Sequence, residues 1–167
     1  MEAVEHDINS DDLHPIDIVE TLAERRDWEF DRVGEDQIAM AVEGVWSTYS
    51  LTLAWSGADE TLRLICTFAM EPPPERRGEL ALLIEKANDL IWSGCFSLWD
   101  EEKLLVFRYG LTLAGGAPAT PAQIDAMLSG AVAAAERFYP AFQLVAWGDD
   151  DAAAALAIAM APSIGRA

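Results

Sequence analysis

Histidine, cysteine and basic charge are all scarce in this sequence, and each shortage closes off a class of chemistry. Only His6 and His14 are present, both ahead of the first strand-like segment. Acid–base triads and many metal sites need an imidazole held on a rigid element, and His14, beside Pro15, reads instead as a helix start. The two cysteines, Cys66 and Cys95, lie far apart with no CxxC spacing, so free buried thiols in a reducing cytoplasm are expected. A zinc site drawn from Cys66, Cys95, His6 and His14 matches no ligand-knuckle spacing. Eleven Lys and Arg stand against 29 Asp and Glu, a net charge of -18. Such a surface repels a polyanion within a Debye length, about 8 Å in physiological salt, and nucleic-acid binding needs a basic stripe. The nearest features, Arg25-Arg26 and Arg76-Arg77, are flanked by Glu and read as a helix C-terminus and a solvated helix start. No nucleic-acid or membrane partner is expected.

Long apolar runs are missing too. Ala152 to Ala161 is shorter than the roughly 20 residues a bilayer requires, and the opening MEAVEHDINSDD has no signal-peptide pattern. Gly115-Gly116 lacks both GxGxxG and a P-loop lysine, no GxSxG elbow occurs, and Cys95 has no histidine base. The acidic clusters Asp100-Glu101-Glu102 and Asp149-Asp150-Asp151 read as a hairpin turn and a helix start, since neither follows a calcium-loop pattern. The expectation is therefore a cytoplasmic protein that is not an enzyme, with no catalytic residues, no metal and no cofactor.

What is present is a core. About half of the 167 residues are hydrophobic, enough for one domain of ordinary size: a flexible acidic N-terminus over residues 1–12 and a single domain over 13–167. A first helix is predicted from Pro15 to Arg26. Four strand-like runs follow, Trp28 to Val33, Gln37 to Trp46, Tyr49 to Trp55 and Thr61 to Ala69. Period two marks them as half-buried, with Tyr49, Leu51, Leu53 and Trp55 alternating against Ser50, Thr52 and Ala54. Turns at Gly34-Glu35-Asp36 and Ser56-Gly57-Ala58-Asp59 are too short for parallel crossovers, so the runs form an antiparallel meander. Pro72-Pro73-Pro74 ends it. A second helix is predicted from Glu75 to Trp92, then a hairpin of Cys95 to Trp99 and Leu104 to Leu113. Thr120-Pro121-Ala122-Gln123 reads as a capping box opening a third helix, which Pro140 should kink or restart. An alanine-rich helix capped near Asp151 closes the chain. The fold class is α+β, order αββββαββα, an antiparallel twisted sheet with helices packed on it.

Two groups of residues stand out as candidates for a site. Arg63 and Arg108 lie mid-strand, in phase with the face opposite the bulky apolar residues, and would share an open sheet face with Ser50, Thr52 and Thr67. That pattern fits either a solvated face or a polar binding face. Six tryptophans, Trp28, Trp46, Trp55, Trp92, Trp99 and Trp147, fall at predicted element ends, where core rim and interface anchors both occur. Trp92, Trp99 and Trp147 are the candidate anchors.

Four strings carry a resemblance: Pro15-Ile16-Asp17-Ile18-Val19, Gly44-Val45-Trp46-Ser47-Thr48-Tyr49, the run from Gly94 to Glu102 with Val106-Phe107-Arg108, and Glu136-Arg137-Phe138-Tyr139-Pro140 continuing to Gly148. They are similar to the YbjN family, over about Asp11 to Ala167. The resemblance implies a fold like that of type III secretion chaperones, often homodimeric, and a role in bacterial sensory transduction or stress regulation with no agreed reaction. Relatives tend to carry a histidine after the asparagine near the end of the second helix; this chain reads Asn88-Asp89-Leu90 there, so a role for that histidine does not transfer. The preferred reading is a non-catalytic regulatory or chaperone-like protein-binding domain, a homodimer with a possible protein client held by apolar grooves and sheet edges. The alternative is a small-molecule sensor or unrecognised enzyme with an anion-binding pocket that uses Arg63 or Arg108.

Overall fold

His14 opens the first helix, α1 (Pro15–Arg25), by accepting the Ile16 amide on Nδ1 at 3.2 Å, with Pro15 at the first helical position. Its Nε2 lies 3.0 Å from Asp36, so the tautomer carrying hydrogen on Nε2 serves both contacts. The computed structural model describes residues 13–161; the segment 1–12, expected to be flexible and containing His6, lies outside them, as do residues 162–167.

The meander follows as β1 (Glu29–Arg32), β2 (Gln37–Glu43), β3 (Thr48–Ser56) and β4 (Thr61–Ala69). After a 3-10 turn at Pro74–Arg76 come α2 (Arg77–Asn88), β5 (Cys95–Trp99), β6 (Leu104–Thr112), α3 (Pro121–Trp147) and α4 (Ala152–Met160). The strands form one antiparallel six-stranded sheet in the order β1-β2-β3-β4-β6-β5. The fold is α+β, with every described helix on one side of the sheet or behind it. α1 packs on β1 to β3, α3 on β4 and β6, and α2 on β5, while α4 lies against α2 and α3.

Register turns the period-two pattern into a core. Phe30, Met40, Leu51, Cys66, Phe107 and Phe96 stand side by side across all six strands on the helix-covered face. Aromatic rings then tie sheet to helix: Phe96 meets Phe142 at 5.0 Å and Phe138 at 5.7 Å between centroids, and Tyr49 meets Tyr139 at 6.1 Å. Cys66 is fully buried in that row, and burial pushes its thiol up to about 12.

Three expectations need correction. The second helix stops at Asn88, short of Trp92. The Leu90 and Ile91 amides bond the carbonyls three residues back, each at 3.1 Å, and the Asn88 side chain leaves the helix to bond both backbone groups of Phe96. Pro140 does not start a new segment, because α3 runs through it to Trp147. A proline inside a helix costs about 3 kcal/mol, and the burial of Ala141, Phe142, Val145 and Ala146 beyond it outweighs that. Arg76 is not a solvated helix start: its Nε donates to the Val145 carbonyl at 2.8 Å and its NH2 to that of Asp150, closing the C-terminal end of α3. The Arg25-Arg26 pair does lie at a helix C-terminus, where Arg26 pairs with Asp125 and stacks over Trp28.

Candidate functional site

The opposite face of the sheet has no described helix on it. Its residues alternate with the core rows, and register aligns them as Asp31, Ala39, Thr52, Ile65, Arg108 and Cys95, and beside these Glu29, Ala41, Ser50, Thr67, Val106 and Ser97. Arg63 and Arg108 stand on this face, and both are exposed. Their strands are neighbours, with Arg63 opposite Gly110 and Arg108 opposite Ile65, so the two guanidinium groups are diagonal neighbours. Arg63 is engaged by Asp59 at 2.6 Å. Arg108 has no carboxylate partner among the described residues. Thr52 and Thr67 are half-buried on the same face, two strands and one strand from β6 respectively.

Trp92 and Trp99 join the arginines. The chain between α2 and β5 bends at Gly94, whose φ is +88° and which lies against the Phe107 ring and the Arg108 carbonyl. An α-carbon substituent there meets both, so glycine is the residue that fits. The bend carries Trp92 fully into solvent. Trp92, Trp99, Arg63, Arg108, Cys95 and Ile65 line a concavity of about 860 Å³. Trp147 is exposed at the end of α3, in the helix layer, and takes no part in it. Trp28 and Trp55 pack against the core, and Trp46 is exposed in the β2–β3 turn.

The other end of the face has the opposite character. Glu29, Asp31, Ala39, Ala41, Ser50 and Thr52 border a shallower concavity of about 390 Å³, with small residues as its floor and carboxylates at its rim. The sequence reading passed over these acids, although Asp31 alternates with Phe30 in a legible way. Cys95 was also missed as a neighbour of Arg108; the pairing of β5 with β6 brings them together. Only Cys66 is buried as expected; Cys95 is exposed because it faces the open side of the sheet, and the two thiols therefore cannot meet within one chain.

Each sheet edge carries a feature that discourages an added strand. Asn88 takes the outward amide and carbonyl of Phe96 on β5, at 2.7 and 3.1 Å. β1 is four residues long and charged at Glu29, Asp31 and Arg32, a pattern that discourages pairing. Arg32 is held inward by Asp17 and Glu20, each at 2.7 Å, and these two raise its pKa.

A half-buried polar latch lies apart from this face. The Glu136 carboxylate of α3 accepts the Tyr49 hydroxyl at 2.5 Å and the Val45 and Trp46 amides at 2.9 and 3.4 Å, with Gly44 packed against it. Burial first, and then Glu136, raises the Tyr49 pKa. Two of the strings that carried the resemblance, Gly44 to Tyr49 and Glu136 to Pro140, thus meet in space.

Among the described residues no group of three or more His, Cys, Asp or Glu is placed to hold a metal ion, and no helix is long and apolar enough to cross a membrane. No curated protein matches the chain. Among solved structures it is similar to the crystal structure of YbjN from E. coli, named "a putative transcription regulator", at a TM-score of 0.53 and 13% identity over 74% of this chain and 87% of that one. That likeness concerns the fold. The family model described as "Putative bacterial sensory transduction regulator" matches residues 15–144, from the start of α1 to near the end of α3, and the chain belongs to the YbjN family.

Proposed function

We propose that the protein is a non-catalytic regulatory domain that acts in the cytoplasm, as a homodimer, by holding a polypeptide on the face of its sheet that carries no described helix. The observation that carries this reading is the concavity under Trp92. A fully exposed tryptophan beside Trp99 and an Arg108 with no carboxylate partner among the described residues is the residue set enriched at the energetic centres of protein interfaces. The chemistry-bearing side chains elsewhere support a non-catalytic role by the work they already do. His14 caps α1, Glu136 and Tyr49 latch a turn, and Cys66 is core. Family membership supports a regulatory role.

A photocrosslinking amino acid at Ser97, on this face, and at Ala126, on the exposed side of α3, tests the reading in cells that make the protein. Polypeptide adducts from position 97 and not from 126 are expected. Equal or absent adducts at both overturn it. The second reading, a sensor of a small anion at Arg108, is favoured by a volume within the usual range of ligand sites. A thermal shift with one anionic metabolite, lost in Arg108→Gln, would decide for it.

A further inference from the structure

Bulk and positive charge lie at one end of the open face, and small residues and negative charge at the other. In strand order, β1 and β2 present Glu29, Asp31, Ala39 and Ala41, and β6 and β5 present Arg108 and Trp99, with Trp92 above them. β3 and β4 sit between. A surface whose two halves complement each other in both shape and charge fits a copy of itself turned by a two-fold axis.

Two face-to-face arrangements have a two-fold axis in the plane between the sheets. With the axis across the strands, each strand stacks on its own copy, setting acids on acids and Arg108 near Arg108. With the axis along the strands, β1 stacks on β5, β2 on β6 and β3 on β4. Asp31, Ala39 and Arg108 share one register row, so Arg108 of one copy then stands over Ala39 of the other, one strand from its Asp31. Strands are about 4.8 Å apart and stacked sheets about 10 Å, within reach of a guanidinium and a carboxylate extended toward each other. Cys95 and Ser97 of β5 come over Asp31 and Glu29 of β1 in the other copy, small side chains over the acids. Six strands at that spacing give a face of about 650 Å² per copy, near the roughly 800 Å² per partner of a standard interface.

We propose that the occupant of the open sheet face is a second copy of this chain, stacked about a two-fold axis parallel to the strands, with Arg108 of each copy paired to Asp31 of the other. This rests on the protein-binding reading above and names its partner.

Charge exchange tests it on the full chain. Sedimentation equilibrium between about 1 and 100 µM is expected to show a wild-type dimer. Arg108→Asp and Asp31→Arg, both at exposed positions, each place like charges together twice per dimer and are expected to weaken association at least tenfold, with circular dichroism unchanged. An equimolar mixture of the two variants restores both pairs and is expected to dimerise as the wild type does. A mixture that stays monomeric overturns the proposed orientation, and so does either variant dimerising normally. A monomeric wild type overturns the dimer. If adducts from position 97 then still contain a different polypeptide, the protein-binding reading survives; if no adducts form, both fall.

Discussion

Glu136 shows how much one side chain can fix. Its carboxylate accepts the buried Tyr49 hydroxyl and the Val45 and Trp46 amides, so α3 holds the β2–β3 turn in place from across the core. Hydrogen bonds to a charged acceptor contribute about 1.5–3 kcal/mol, and a buried donor left unpaired costs a similar amount. Tyr49→Phe removes donor and need together and is expected to cost about 1 kcal/mol in urea denaturation. Glu136→Ala strands the buried hydroxyl, while the Val45 and Trp46 amides lie in an exposed turn within reach of water, and is expected to cost about 2 kcal/mol. Equal losses would show that the amides contribute nothing. Burial and Glu136 also make the folded state hold the Tyr49 proton more tightly. That contribution is complete below the unfolded value near pH 10 and is lost as pH rises toward the folded one. Wild-type stability should therefore fall more steeply than that of Tyr49→Phe above pH 10; parallel curves would count against the latch. The cysteines separate by the same logic of environment. Cys66 is buried with its thiol pushed up, while Cys95 is exposed, and the thiolate is the reacting form. With the protein dilute enough to be monomeric, a disulfide reagent at neutral pH is expected to titrate one thiol per native chain and two in denaturant. Two fast thiols in the native protein would place Cys66 outside the core.

Elements were legible where one signal governed them. Period two identified the strands because each has one covered face, and Thr120 with Gln123 marked the start of α3 through a capping box that the structure contains. The end of α2 was not legible. Its apolar spacing continues through Leu90 and Ile91, and what stops it is Asn88 reaching a backbone that is distant until the hairpin folds. The run through Pro140 was hidden for the same reason, since the burial that outweighs the missing amide comes from tertiary packing. The bend at Gly94 offers a test at this scale. Gly94→Ala must adopt a positive φ and press into Phe107 and the Arg108 carbonyl; strain of this kind costs on the order of 1–3 kcal/mol. Trp92 moves with the bend, so the variant should be both less stable in chemical denaturation and shifted in tryptophan emission. A change in stability with the emission unaltered would mean that the bend does not position Trp92.

The site belongs to the whole molecule, which is why the sequence reading recovered its members without its shape. Arg63, Arg108, Thr52 and Thr67 were placed on one face by alternation alone. The meeting of the two arginines with Trp92 and Trp99 depends on β6, and not β5, joining β4, a choice that no local pattern states. The same scale governs the charge. A net of -18 makes the compact state repel itself over distances comparable with the Debye length, and added salt screens that repulsion. Salt also weakens the favourable pairs, yet three of the seven among the described residues, Arg63 with Asp59, Arg77 with Asp100 and Lys103 with Glu71, are exposed on both sides, and exposed pairs contribute little each. The long-range term should therefore win. Raising sodium chloride from about 20 to 500 mM, more than a threefold cut in Debye length, is expected to raise the Tm of the protein at fixed concentration. A falling Tm would mean that local ion pairs, and not overall repulsion, set its electrostatic stability.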